Sequence, residues 1–185
     1  MNITVEVLTP AIECFKSARQ TQGMQFEKIT PSVKTWISWL HAEHSPIRVM
    51  QLRINMTFVP YYIAMHLRTH TEGIMPFVRS QRDTAISPVD YDRRKAPQNA
   101  PVDYCPVLNP QSLINISRRR LCRKADKDTI EVWKEVKRVI ENHPDDYVAA
   151  IAPLMMPYCE YRGDICHEIN SCGLYPNWKD CKVKR

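Results

Sequence analysis

The sequence predicts a mixed α/β fold with long helices in a chain of 185 residues. Segments 3–8 and 50–58 alternate apolar and polar side chains, as half-buried β-strands do. Segments 33–40 and 126–141 repeat apolar residues at helical spacing instead. Hydrophobic residues make up 44% and charged residues 25% of the chain, which are ordinary values for a globular domain.

The N-terminal third alternates between the two kinds of element. Pro10 ends the first strand, and a helix is predicted for residues 11–19. A second helix starts at Thr30-Pro31, a hydroxyl cap followed by proline, and ends at Ser45-Pro46. Its predicted apolar face consists of Val33, Trp36, Ile37 and Leu40. The buried face of the next strand consists of Met50, Leu52, Ile54, Met56 and Phe58.

The middle of the chain combines a helix with irregular segments. Pro60 opens a helix that ends near Arg68, and residues 71–82 form a loop or broken helix with Gly73 as one breaker. Residues 83–108 contain several prolines and little periodicity, so an irregular connection is expected there.

Helices dominate the remainder before the tail. Asn109-Pro110 is a capping residue followed by proline and predicts a helix start. The helix over 126–141 stops at His143-Pro144, and a short final helix covers 145–155.

The last part of the chain, residues 158–185, is rich in cysteine and is expected to form an extension of a main domain over 1–157. Thiolates suit tetrahedral zinc, although the spacings lack a CxxC pair, so structural zinc, free thiols and a disulfide bridge all stay open. The candidate zinc ligands are Cys159, Cys166, Cys172 and Cys181. An odd total of 7 cysteines without a signal-peptide pattern favours reduced thiols and the cytoplasm.

Two arginine-containing stretches, 68–82 and 109–120, suggest a ligand site. A guanidinium group presents a fixed fork of donors that matches phosphate and carbonyl oxygens. The 4 glycines stand apart, which excludes a glycine-rich phosphate loop. The net charge of +6 favours anionic partners, although solubility alone also explains such an excess. The sequence therefore predicts a pocket for a phosphorylated planar ligand.

These stretches resemble the flavin-dependent thymidylate synthases (the ThyX or Thy1 family). The segment NPQSLINISRRRLCRKA matches the family's Asn-x2-Ser-Leu-x-Asn pattern and its later arginine without a gap. The positions in register are Asn109, Ser112, Leu113, Asn115, Arg120 and Ala125. RTHTEGIMPFVRSQR is similar to the family's RHR signature, with Thr69-His70 in place of His-Arg. Arg93 precedes Pro97 as in the family's Arg-x3-Pro element.

The resemblance implies a mixed-sheet subunit that assembles into a homotetramer with shared active sites. It further implies bound FAD, NADPH as the reductant, and transfer of the carbon of methylenetetrahydrofolate to C5 of dUMP, which gives dTMP. The main domain would then be the catalytic domain that binds nucleotide and flavin. A short and divergent member of the family suggests a copy carried by a virus or a mobile element, and the expected location is the cytoplasm of a bacterial cell.

Roles follow from the resemblance position by position. The expected substrate contacts are Arg68, Ser80, Gln81, Arg82, Arg93 and Arg120. Of these, Arg120 and Ser80 are also the expected catalytic residues. The expected flavin contacts are Arg68, Thr69, His70, Asn109, Gln111 and Asn115.

Two other functions remain open at the level of the sequence. A sibling enzyme could methylate or hydroxymethylate another pyrimidine nucleotide such as dCMP. A basic nucleic-acid-binding protein with a zinc-stabilised tail is the alternative from another class, but aromatic residues are not interleaved with the arginines. The sequence contains no run of 18 apolar residues, so it predicts no membrane-spanning helix.

Overall fold

The structure, a computed structural model, describes residues 1–24, 29–80 and 94–181. Within them, five strands form one sheet, and each of its strand pairs is antiparallel. The strands are β1 (Asn2–Thr9), β2 (Gln51–Pro60), β3 (Ile74–Met75), β4 (Pro101–Tyr104) and β5 (Val107–Leu108). Strand β2 is central, with β1 on one side and both β4 and β5 on the other, and β3 pairs with β5.

Helices surround a core built on one face of this sheet. They are α1 (Ala11–Thr21), α2 (Val33–His41), α3 (Tyr61–Arg68), α4 (Pro110–Arg120), α5 (Lys127–Glu141), α6 (Asp146–Ala149) and α7 (Tyr158–Tyr161). Short 3-10 helices cover Ser45–Arg48 and Ala152–Leu154. Leu52, Ile54 and Met56 of β2 are fully buried in the same apolar cluster as side chains from α1 to α5. The predicted mixed α/β fold is therefore confirmed.

Two buried tryptophans connect the helices through their indole nitrogens. Trp36 Nε1 donates to the carbonyl oxygen of Tyr147 at 2.8 Å and so ties α2 to α6. Trp133 Nε1 donates to Ser117 Oγ at 2.8 Å and ties α5 to α4. A buried N–H needs such a partner, because an unpaired polar group away from water costs about 1–3 kcal/mol. The bond from Trp133 holds α4, the helix that carries Arg120, against α5 and the core.

The starts of α4 and α5 lie where the sequence places them. Asn109 caps α4 by accepting a hydrogen bond from Ser112 N at 2.9 Å. Asp126 caps α5 in the same way from Thr129 N, also at 2.9 Å. Each cap satisfies a backbone donor that the first helical turn leaves unpaired.

The second helix differs from its prediction at its start and on its apolar face. Ser32, not Thr30, is the cap of α2, and Pro31 lies before the helix. Trp36 and Leu40 are buried as expected, but Ile37 is 41% exposed. The later start follows from the hydrogen bond that Ser32 Oγ accepts from Thr35 N.

The prediction that Phe58 lies on the buried face of β2 is wrong. The pairing of β2 with β4 shifts register between Met56 and Val59, which inserts an extra residue into β2. Phe58 takes a left-handed backbone conformation with φ 58° and is 68% exposed, whereas Val59 returns to the core. The alternation of apolar and polar residues does not reveal such a bulge. An extra residue in the strand moves the following side chains to the opposite face of the sheet, whatever the sequence pattern is.

The tail is fastened to α4 and to the loop that follows it. The guanidinium of Arg118 lies 3.7 Å from the ring centroid of Tyr161 in α7. Lys124 Nζ donates to the carbonyl oxygen of Asn170 at 2.7 Å. A division of the chain at residue 157 remains a prediction. In the described ranges, the helices are too short or too polar to cross a membrane.

Candidate functional site

Arg120, the last residue of α4, is held at the end of α3 by three neutral groups. Its Nε donates to His70 Nε2 at 2.9 Å, and its Nη2 donates to the carbonyl oxygen of His66 at 2.6 Å. The same Nη2 donates to Thr69 Oγ1 at 2.9 Å. The stretches 68–82 and 109–120, which are far apart in sequence, therefore meet at one guanidinium group.

His70 is neutral in this arrangement. Burial, and then the charges of Arg120 and Arg119, lower the pKa of His70 from 6.5 to about 4. Because Nε2 accepts the hydrogen bond from Arg120, the single ring proton is assigned to Nδ1. The imidazole thus orients the arginine without adding charge, and its Nδ1–H remains a donor.

No carboxylate among residues 1–24, 29–80 and 94–181 forms an ion pair with Arg120. The side chain is half-buried, and this burial lowers its pKa. Partial removal of a cation from water costs free energy, unless an anion or a strongly polar group binds to the cation and compensates that cost. The geometry therefore suits Arg120 to a ligand that presents negative charge or carbonyl oxygens.

The loop between α3 and β3 is seated on the first turn of α4. Ser112 Oγ lies 2.8 Å from the carbonyl oxygen of Glu72 and 3.0 Å from that of Gly73. Gly73 has a φ of +67°, and a Cβ there would lie 2.6 Å from Ser112 Oγ and 2.7 Å from Asn109 Nδ2. Only glycine fits both the backbone conformation and the contact. The loop that carries Thr69 and His70 is fixed in this way.

A depression of about 200 Å³ lies beside Arg120 and is lined by three of the predicted flavin contacts. They are Thr69, His70 and Asn115. Thr69 Oγ1 already bonds to Arg120 and to the carbonyl oxygen of His66, and Asn115 Oδ1 already accepts from Gln111 and Arg118. The donors that keep no protein partner among the described residues are His70 Nδ1–H and Asn115 Nδ2, and these suit the carbonyl oxygens at the edge of a flavin ring. The residues therefore fit that part of FAD, while the volume is below the 300–1,000 Å³ typical of small-molecule pockets.

Asn109, which caps α4, and Gln111 in its first turn are also predicted flavin contacts, and they have structural roles here. Both are 7% exposed. Asn109 Oδ1 is the helix cap, and Gln111 Nε2 donates to Glu43 Oε2 at 2.6 Å. Their contribution to the site is to place α4 and the loop, since most of each side chain is already in contact with protein.

A partly buried polar cluster around Glu43 was not predicted from the sequence. Glu43 forms an ion pair with Arg118, whose side chain is only 13% exposed, and also bonds to Gln111. Burial raises the pKa of Glu43, but the hydrogen bonds from Arg118, Tyr161 and Gln111 together lower it by more. The pKa of Glu43 therefore lies below its usual value. Glu43 has a left-handed backbone conformation with φ 49°, which is uncommon for a residue other than glycine. This conformation marks the position as unusual in the structure, but the sequence does not reveal it.

Of the remaining predicted substrate contacts, two are exposed and three fall outside the described ranges. Arg68 is exposed at the end of α3. Burial raises the pKa of Tyr104, and the charge of Arg68 lowers it by a smaller amount. Ser80 is exposed and follows Arg79, whose backbone N–H donates to the carbonyl oxygen of Asp103 at 2.9 Å. Gln81, Arg82 and Arg93 lie outside the described residues.

The predicted zinc site does not form. Within the described ranges, which include all four candidate ligands, no group of three or more metal-binding side chains comes together. Those ligands are Cys159, Cys166, Cys172 and Cys181, and each is a free thiol. The thiol of Cys166 is instead bonded to Ser171, and its backbone forms a short bridge with Asn177.

Cys105 does not have the environment of a nucleophile. Its Sγ donates to Asn55 Oδ1 at 2.8 Å, and burial raises the pKa of the thiol. A protonated, hydrogen-bonded thiol is unreactive, because the thiolate is the nucleophilic form.

Comparison with known proteins identifies the fold as that of the flavin-dependent thymidylate synthases. No protein-family model matches the sequence, and no curated protein matches it significantly. A thymidylate synthase ThyX from Helicobacter pylori, solved with FAD and dUMP, matches 84% of this chain and 99% of its own with a TM-score of 0.66 at 12% identity. A second structure of the Helicobacter pylori enzyme with FAD and dUMP matches 75% of this chain and 93% of its own, with a TM-score of 0.59 at 13% identity.

A second activity occurs among the similar structures. The UMP/dUMP methylase PolB from Streptomyces cacaoi, solved with 5-Br dUMP, matches 84% of this chain and 96% of its own. The TM-score is 0.58 at 12% identity. At these identities the likeness establishes the fold, and the chemistry must be argued from the residues.

Proposed function

We propose that the protein is a flavin-dependent enzyme that transfers a one-carbon unit to C5 of a deoxypyrimidine monophosphate, with dUMP as the substrate. The observation that carries this proposal is the guanidinium of Arg120, half-buried and bonded only to neutral acceptors among the described residues. It lies on a fold shared with enzymes whose structures contain dUMP. It also occupies the position at which the family resemblance expects the uracil contact.

Arg120 suits the electronic demand of the reaction. Negative charge develops on the uracil ring and its carbonyl oxygens as C5 becomes nucleophilic. A guanidinium that is already oriented by His70, Thr69 and the carbonyl oxygen of His66 can stabilise that charge with little reorganisation. Because arginine does not lose its proton near neutral pH, Arg120 acts as an electrostatic group and not as an acid.

The phosphate requires further cations. From the resemblance, Arg68, Ser80, Gln81, Arg82 and Arg93 are proposed to bind the phosphate end of the nucleotide. A phosphomonoester carries close to two negative charges at neutral pH and is bound best by several fixed donors. The exposed position of Arg68 is compatible with a ligand at the surface or with a site completed by a second copy of the chain.

Thr69, His70 and Asn115 are proposed to hold the polar edge of FAD in the depression beside Arg120. When bound, the flavin supplies the electrons that convert the transferred methylene carbon to a methyl group, with NADPH as their source and methylenetetrahydrofolate as the carbon donor. The depression is too small for the whole cofactor, which supports a site shared between subunits of a homo-oligomer.

The test is a product analysis with purified full-length protein, FAD, NADPH and methylenetetrahydrofolate. Mass spectrometry should detect dTMP from dUMP, and Arg120→Gln should lower the rate by about 10²–10³, as loss of one preorganised donor does. Lys34→Gln, which removes an exposed charge on α2, is the matched control and should leave the rate unchanged. Absence of any modified nucleotide from dUMP, UMP and dCMP would refute the enzymatic proposal.

A sibling methylase is the second candidate. Two observations favour it: the fold similarity to the UMP/dUMP methylase and the Thr69-His70 pair in place of His-Arg. The same assay separates the two, because a preference for UMP or dCMP over dUMP assigns the protein to this second class.

A further inference from the structure

A large cavity lies between the body of the protein and its cysteine-rich tail. It has a volume of about 1180 Å³ and is bounded by the end of α4, the loop 121–126, the start of α5 and the tail segments 157–160 and 166–175. We call it the tail pocket. It borders the candidate site, because Arg120 and His70 line both.

Basic side chains outnumber carboxylates in the walls of the tail pocket. The basic residues at its rim and walls include Arg119, Arg120, Arg123, Lys124, Lys127 and Lys134. The carboxylates that line it are Glu131, Glu160 and Glu168. Glu131 is paired with Lys134 at 2.8 Å. Glu168 is shared, at 3.8 Å from Lys124 and 4.0 Å from Arg119, which are long distances for ion pairs.

Two of the cations are uncompensated. Arg123 and Lys127 are exposed and make no hydrogen bond or ion pair within the part of the chain that the structure describes. Arg120 has only neutral partners, as shown above. Three positive charges therefore line the cavity without a carboxylate of their own, whereas Glu160 is its one carboxylate without a cation partner among the described residues. The net potential inside the cavity favours a polyanion.

The pocket also has an aromatic and apolar side. Tyr175 and Tyr158 line it, and both are half-buried. One neighbour of the Tyr158 ring is already the guanidinium of Arg162, 4.7 Å from its centroid, so Tyr175 is the better platform for a ligand ring. Leu121, Ile130 and Leu174 add apolar surface. A planar base can stack on such a side while its phosphates reach the cations.

We propose that the tail pocket binds a nucleoside triphosphate as a second ligand, beside the proposed monophosphate site. The volume exceeds the usual range for small-molecule pockets and has room for a base, a sugar and a phosphate chain. Because Arg120 borders both sites, a bound triphosphate competes with the monophosphate for the same positive charge. The tail thus makes the affinity for dUMP depend on the concentration of nucleoside triphosphates.

Calorimetric titration of the full-length protein with dTTP, inorganic triphosphate and a short single-stranded oligodeoxynucleotide tests this proposal. We expect dTTP to bind, and inorganic triphosphate to bind about 5–150-fold more weakly, because it lacks the base that stacks. Prior addition of dTTP should raise the dissociation constant of dUMP. An oligonucleotide that binds more tightly than dTTP would overturn the proposal in favour of a nucleic-acid surface.

The double variant Arg123→Gln/Lys127→Gln locates the site. It should weaken dTTP binding tenfold or more and leave dUMP binding within about twofold, while Lys34→Gln changes neither. Equal loss of dTTP and dUMP binding would mean that the cavity only extends the monophosphate site, and unchanged dTTP binding would exclude these residues; either result refutes the proposal. Binding of dTTP without binding of dUMP would instead refute the proposed function and leave the tail pocket standing.

Discussion

Replacement of His70 by leucine should weaken the binding of dUMP by disorienting Arg120. The change removes the ring nitrogen that accepts from Arg120 Nε at 2.9 Å and leaves that donor without its partner. A hydrogen bond to a charged group contributes about 1.5–3 kcal/mol. Because Arg120 keeps its bonds to the carbonyl oxygen of His66 and to Thr69 Oγ1 and is only half-buried, the lower end applies. This corresponds to about a tenfold rise in the dissociation constant of dUMP.

The assay is calorimetric titration of dUMP into wild-type protein, His70→Leu and His70→Gln. The carboxamide of glutamine reaches about as far as Nε2 of histidine and supplies an oxygen acceptor, so His70→Gln should recover most of the affinity. Thermal unfolding of each variant controls for damage to the fold. Wild-type affinity in His70→Leu, or equal weakness in both variants, would refute the positioning role of His70.

Three further predictions concern stability. Glu43→Gln leaves the buried guanidinium of Arg118 without its carboxylate and should lower the free energy of unfolding in urea by about 2–3 kcal/mol, whereas Glu131→Gln, in an exposed pair, should change it by less than about 1 kcal/mol. Gly73→Ala places a methyl group 2.6 Å from Ser112 Oγ at a φ of +67°, so it should lower the melting temperature and weaken dUMP binding. An unchanged melting temperature would contradict the close contact between the loop at Gly73 and the first turn of α4. The depressed pKa of His70 means that the unfolded chain binds its proton first as the pH falls. Stability from this residue is therefore complete above pH 6.5 and is lost toward pH 4, by on the order of 2 kcal/mol for a partly exposed ring, and His70→Gln should flatten this part of the curve.

The elements with strong periodicity or capping chemistry could be predicted from the sequence. The helix α5 has an uninterrupted apolar stripe, and Asp126 caps it as its position suggests. The start of α4 follows from Asn109-Pro110 for the same reason. In these segments local preference and tertiary packing agree, so the pattern alone is sufficient.

Other features depend on contacts between residues that are far apart in sequence. The outward position of Phe58 results from a bulge set by pairing with β4. The Glu43–Arg118 ion pair joins the second residue after α2 to α4. For the site, the resemblance singled out Arg120, Thr69 and His70, and the structure brings these three together. The resemblance does not predict how these three side chains are arranged. The lowered pKa of His70, for example, results from its burial and from the nearby charges of Arg120 and Arg119, which only the folded chain brings together.

The most direct test of the account is a crystal structure of the protein grown with FAD and dUMP. We predict that the uracil ring contacts the guanidinium of Arg120 while Nε of Arg120 still donates to His70, and that the flavin ring edge lies against Thr69 and Asn115. Density for dUMP at a place remote from Arg120, or no density for either ligand at saturating concentration, would contradict the account.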